Sequence, residues 1–182
     1  MSQDIKVGVI YGSTREGRFC DTVAEWLIEA AGRHDGFEFM TIDPAVEDSS
    51  TPGLAQRLDT ADAFIVVTPE YNHSFPGPLK SLIDSFYAEW QAKPVGFVSY
   101  GGISGGLRAV EQLRGVFAEL HAVGIRDSVS FANVWGHFDD QGALRESERT
   151  ERALNTMLAR LAWWARALRE ARLNNPYGEV TA

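Results

Sequence analysis

The sequence predicts one α/β domain built on a parallel sheet with helices on both faces. Five apolar or β-rich runs recur along the 182 residues, and stretches with helical spacing lie between them. The first, third and fourth runs are nearly continuous hydrophobics, the pattern of strands buried on both faces. A hydrophobic share of 45% supports a sizeable core. No repeat, linker or low-complexity tract divides the chain, so residues 1–182 are read as a single domain.

Taken in order, the first strand is IKVGVIY at 5–11, and an amphipathic stretch follows it from about Cys20. FEFMTID at 37–43 and AFIVVT at 63–68 are the second and third strands. Leu79, Leu82, Ile83, Phe86 and Trp90 then share one helical stripe. PVGFVSY at 94–100 is the fourth strand, followed by a stripe of Val110, Leu113, Phe117 and Leu120. IRDSVSF at 125–131 is the fifth, and the turn-rich segment 132–147 reads as a surface loop. A last helix spans about 148–173, with Leu154, Met157, Leu158, Leu161, Ala165 and Leu168 toward the sheet. Trp163 points away from that stripe and predicts a subunit contact. The alternation alone leaves the strand order open.

Charge narrows the function. A net charge of −8 argues against nucleic-acid binding, which needs a basic stripe. Fourteen of the seventeen cations are arginines, so a local basic pocket is still compatible. Cys20 is the only cysteine, which leaves no internal disulfide or cysteine-built metal cluster. Six residues after it stands Trp26, where a cysteine phosphatase needs arginine, so Cys20 reads as a packing residue. The N-terminal MSQDIKVGVIYG does not resemble a signal peptide, and no apolar run is long enough to cross a bilayer. A soluble cytoplasmic protein is the expectation.

Three unusual loops leave the carboxyl ends of the first, third and fourth strands, where open parallel sheets bind ligands. GSTREGR at 12–18 brings hydroxyls and two arginines to a helix start, which suits a phosphate of about −1.5 to −2 charges. It has neither dinucleotide nor Walker spacing, so it reads as a site for a terminal monophosphate. TPEYNHSFPGP at 68–78 carries three prolines, aromatic faces and polar rims, a rigid platform for a flat heterocycle. His73 within it has no evident acidic partner and is left out of the chemistry. SYGGISGGLRA at 99–109 has four glycines, which let backbone approach a ligand closely. Together the loops describe a site for a flat ring on a phosphorylated tail, which describes FMN.

In GSTREGR, PEYNHSFPGPLK at 69–80 and YGGISGGLRAVEQLR at 100–114, the chain resembles the NADPH-dependent FMN reductase family. That family includes quinone, chromate and azo-dye reductases, and the resemblance covers roughly residues 5–131. It implies a flavodoxin-like three-layer sandwich with a five-stranded parallel sheet of order 2-1-3-4-5. It also implies that Ser13, Arg15 and Arg18 hold the FMN phosphate and that Pro69, Glu70, Tyr71 and Asn72 line the ring. Tyr100, Gly101, Gly102 and Ser104 would close its other side. One departure stands out: the family commonly reads Asn-Ala-Ile-Asp-Trp where this chain has Ser81-Leu82-Ile83-Asp84-Ser85.

The activity implied is hydride transfer from NADPH or NADH through FMN to a small acceptor: free flavin, a quinone, an azo compound or a metal ion. No protein nucleophile is required, because the flavin carries the chemistry. The resemblance further implies a homodimer or homotetramer. Two other readings remain open. One is an FMN-binding electron carrier or reduced-flavin supplier acting with a partner enzyme. The other is a nucleotide-binding or phosphate-sensing regulator without redox chemistry.

Overall fold

The computed structural model describes residues 4–180. The two ends of the predicted domain, 1–3 and 181–182, lie outside the described residues, as does the start of the stretch read against a signal peptide. Five parallel strands form one sheet: β1 (Ile5–Tyr11), β2 (Phe37–Ile42), β3 (Ala63–Pro69), β4 (Pro94–Gly101) and β5 (Val123–Ala132). Their order is β2-β1-β3-β4-β5, so the order reverses between β1 and β3. The order implied by the resemblance is therefore the one observed. Every residue of β3 is buried, as its unbroken hydrophobic run requires of a central strand.

Helices cover both faces. The helices α1 (Cys20–Ala31) and α5 (Glu148–Asn174) share one core with Val7, Val9, Ile65, Val67 and Val98. On the other face, α2 (Leu54–Thr60), α3 (Gly77–Asp84) and α4 (Leu107–Glu119) pack over Ile10, Phe64, Val66, Val95 and Phe97. The seven-residue α2 buries only Leu54 and Leu58, too little for a stripe to be visible in the sequence. Leu154, Met157, Leu158, Leu161 and Ala165 of the predicted α5 stripe are buried, while Leu168 is half-buried.

Two expectations need correction. The stripe from Leu79 to Trp90 is not one helix: α3 stops at Asp84, and a single 3-10 turn at Ala88–Trp90 follows. Trp90 is fully buried and its indole N–H donates to the carbonyls of Ile83 and Phe86, each at 3.0 Å. Those two bonds anchor the chain that leaves α3 to the buried Trp90. The segment 132–147 is also more than a surface loop. It carries a 3-10 turn at Val134–Gly136 and an antiparallel bridge between Phe138 and Leu144. Val134 and Phe138 are buried, and Phe138 meets Phe19, Trp26 and Phe131 edge-on or tilted.

At the amino-terminal rim of the sheet, Asp62 receives Arg169 at 3.0 Å and the backbone N–H of Lys6 at 3.0 Å. Arg172 stands 3.8 Å from the same carboxylate and donates to the Ala92 carbonyl. Lys93 is buried beside them, donating from Nζ to the carbonyls of Leu58 and Asp59 at the end of α2. Burial, and then the charge of Arg172, lower its pKa to about 8.

Candidate functional site

The register of β3 against β4 sets the geometry of the opposite rim. Pro69 pairs with Tyr100, and the Glu70 N–H donates to the Tyr100 carbonyl at 3.3 Å, so the platform and the glycine loop leave side by side. β1 ends beside them: the Gly12 N–H donates to the Val67 carbonyl at 2.7 Å. A Cβ at Gly12 would meet that oxygen at 2.7 Å, so only glycine lets the first loop turn here. All three loops border one cavity of about 310 Å³, inside the usual small-ligand range of about 300–1,000 Å³.

Eight of the eleven residues singled out from the sequence line this cavity: Arg15, Arg18, Pro69, Glu70, Tyr71, Tyr100, Gly101 and Gly102. Ser13, Asn72 and Ser104 do not line it, and Asn72 is exposed. Ser13 is fully buried and its hydroxyl shares a 2.8 Å hydrogen bond with the Tyr71 hydroxyl. Asn72 and His73 form the tip of a tight hairpin closed by Tyr71 and Ser74. Their φ values of 52° and 68° are those of a primed hairpin turn, which asparagine tolerates better than most residues. Ser104 donates to the Glu70 carboxylate at 2.8 Å.

Glu70 joins the second loop to the third. Besides Ser104, it accepts the Arg108 backbone N–H at 3.1 Å and the Arg108 guanidinium at 2.7 Å. Burial would raise the carboxyl pKa, but the bonds from Ser104 and Arg108 outweigh it and hold it below the usual range. Glu70 is thus an ionised strut at the start of α4.

The two arginines of the first loop have different partners. Arg18 forms a two-pronged pair with Asp43 at 2.7 and 2.5 Å, binds Asp21 at 2.7 Å and donates to the Ser13 carbonyl at 2.5 Å. The Asp43 bond in particular keeps its pKa above the ordinary arginine value. Four of its N–H contacts serve the protein itself, so Arg18 shapes the loop. Arg15 forms no salt bridge among the described residues, and its guanidinium carbon sits 3.7 Å above the Tyr71 ring. No side chain caps the first turn of α1. The uncompensated charge of Arg15 and the open N–H groups beyond it have the chemistry to take an anion.

Tyr100 forms the floor. It is buried, and desolvation above all raises its phenol pKa, so it stays a neutral apolar surface. Beneath it, Cys20 is fully buried and burial raises its thiol pKa, which suits packing rather than nucleophilic chemistry. Gly101 and Gly102 add backbone to the cavity wall, and a Cβ on Gly102 would meet nothing within 4 Å.

Phe19, Val134 and Trp135 also line the cavity, and the loop-by-loop reading missed them. The only signal was the apolar pair Val134 and Phe138, four residues apart inside turn-rich sequence. A larger cavity of about 460 Å³ lies between the loop after β2 and α3. Its walls include Glu47, Asp48, Ser81 and Ser85 and no cation, so it is unsuited to a phosphate.

Fold and rim together define a flavodoxin-like protein with an anion-accepting loop beside a flat cavity at the strand-order reversal. Residues 5–136 match the NADPH-dependent FMN reductase family, and the chain belongs to that family. It is similar to an NAD(P)H-dependent FMN reductase of Schizosaccharomyces pombe, 36% identical over 120 residues. That match takes in 56% of this chain and about 60% of the yeast protein's length. A 2-hydroxy-1,4-benzoquinone reductase of a Burkholderia species is 31% identical over 182 residues, covering 89% of this chain and 97% of that protein. Among solved structures, the flavoenzyme NAD(P)H:(acceptor) oxidoreductase FerB of Paracoccus denitrificans superposes with a TM-score of 0.70 at 22% identity. That superposition covers 89% of this chain and 98% of FerB, and it shows a shared fold. Among the described residues, no helix is long and apolar enough to cross a membrane.

Proposed function

We propose that the protein is an FMN-dependent NAD(P)H oxidoreductase that passes electrons to small acceptors such as quinones or free flavin. The observation that carries this reading is the convergence of three loops on one cavity with the unpaired charge of Arg15 at its edge. When bound, FMN supplies the chemistry, taking a hydride from NAD(P)H and returning two electrons to the acceptor.

The chain's own residues bind and orient. Arg15 holds the phosphate, with the N–H groups leading into α1 completing the anion site. Arg18 keeps that loop in shape through Asp43 and Asp21 rather than meeting the phosphate. Pro69, Tyr71, Tyr100, Gly101 and Gly102 form the ring's walls and floor. Ser13 fixes the Tyr71 hydroxyl, the turn at Asn72 sets the platform's edge, and Ser104 with Arg108 fixes Glu70.

The reading includes work in the cytoplasm and assembly as a homo-oligomer. Supporting assembly, Trp163 is 61% exposed on the outer face of α5 and meets Trp164 edge-on at 5.1 Å. A paired aromatic surface of this kind favours a subunit contact.

The test is direct. Purified protein titrated with FMN should bind it and then oxidise NADPH or NADH anaerobically until the flavin absorbance bleaches. Protein that binds no flavin would defeat the reading. Protein that binds FMN but is reduced only through a partner reductase would turn it into the electron carrier.

A further inference from the structure

The segment between β5 and α5 places Trp135 at the cavity in a rigid way. Asn133 takes a left-handed conformation, φ 51°, and its N–H donates to the Gly102 carbonyl at 2.8 Å, tying this segment to the glycine loop. The 3-10 turn follows, closed by the Gly136 N–H on Asn133 and the His137 N–H on Val134, each at 3.0 Å. Val134 before Trp135 and Phe138 after it are both buried in the core. Between these two anchors Trp135 is 66% exposed, yet it lines the same cavity as Arg15, Tyr71 and Gly102.

A large aromatic group held in water by a rigid turn gains little for folding. It can offer a planar face at the mouth of the site with little ordering cost on binding. The cavity volume of about 310 Å³ is near the low end for small-ligand sites, which leaves little room inside for a second planar ring beside a flavin. Ile103, the residue after Gly102, is 88% exposed and follows directly on the carbonyl that holds Asn133.

We infer that Trp135 determines acceptor specificity: its indole stacks against a planar aromatic acceptor, of the quinone class, at the mouth of the flavin cavity. This rests on the flavin reading above. It assigns to the segment after β5 a role in acceptor choice, separate from the loops that hold the cofactor. Compact acceptors without a ring would gain nothing from the indole.

The test uses FMN-loaded wild type, Trp135→Phe and Trp135→Ala, with 1,4-naphthoquinone as the planar probe and hexacyanoferrate(III) as the ringless one. Calorimetry gives the dissociation constant of naphthoquinone from the oxidised holoprotein, and steady-state rates give KM for both acceptors. The alanine variant should raise the naphthoquinone dissociation constant and KM about three- to tenfold, the range expected for losing one aromatic stack. The phenylalanine variant should stay within about twofold of wild type. FMN affinity and the hexacyanoferrate KM should change less than the naphthoquinone constants do. Unchanged naphthoquinone binding in Trp135→Ala overturns the inference. So does a matching loss of FMN affinity, which would set the indole against the cofactor, or an equal rise in the hexacyanoferrate KM. Wild type that fails to bind FMN defeats the underlying reading instead, and the two failures are distinct.

Discussion

The guanidinium of Arg15 lies 3.7 Å above the Tyr71 ring, and the Tyr71 hydroxyl in turn shares its hydrogen bond with Ser13. The first loop and the platform are thereby coupled through one tyrosine. Arg18, three residues on, is held by Asp43 instead.

That division separates two alanine variants. Arg15→Ala should weaken FMN binding by roughly 1.5–3 kcal/mol, about ten- to a hundredfold, with the melting temperature nearly unchanged. Arg18→Ala strips Asp43 and Asp21 of their partner and should destabilise the fold by on the order of 3 kcal/mol. Flavin titration and thermal melts read the two effects. Equal behaviour of the two variants would contradict the assignment.

Two glycines of the third loop should respond in opposite ways. Gly106 has φ 80°, and a Cβ there would approach Ser99 and the Tyr100 backbone at 2.8 Å, so Gly106→Ala should cost about 2 kcal/mol or more of stability. Gly102→Ala meets no protein atom within 4 Å and should melt like wild type. Because Gly102 lines the cavity, an added methyl there should lower FMN affinity.

Glu70→Gln tests the strut between platform and glycine loop. Loss of the charge weakens the bonds from Arg108 and Ser104, and FMN affinity should fall about tenfold. Because the folded-state pKa of Glu70 is depressed, its contribution is present above the ordinary carboxylate pKa near 4.5. It is lost as pH falls through the folded value, so acid denaturation of the wild type and the variant should converge at low pH.

Lys93 makes a prediction in alkali. Its pKa is about 8 in the folded protein against an ordinary 10.5, so the unfolded chain binds more protons between those values. Stability should therefore rise from pH 8 to 10.5 in the wild type relative to Lys93→Met. Parallel denaturant midpoints of the two proteins across that window would refute it.

A Trp163→Glu variant should dissociate the proposed oligomer into smaller species on gel filtration. The indole is exposed and free of the core, so the variant should fold normally. An unchanged elution volume would remove the interface.

Each predicted run overlaps an observed strand to within two residues at either end. For β1, β3 and β4 the signal was a continuous hydrophobic run, because burial on both faces leaves little room for polar letters, while β2 and β5 were legible as β-rich runs. The three loops were legible through prolines, glycines and charges. What failed was long-range partnership. Nothing near Arg18 distinguishes it from Arg15; its partner Asp43 lies 25 residues away in another loop. Nothing around Trp90 shows that its indole will reach back to the carbonyls of Ile83 and Phe86. Trp135 sits among turn residues, and only its tie to Gly102 through Asn133 brings it to the site.

The clasp of Arg169 and Arg172 on Asp62 fastens the last helix at the rim opposite the cavity. Molecules coupled to a surface through that rim, on an electrode or a bead, would present their working mouths outward. A linker attached at that rim would leave the cavity facing solution.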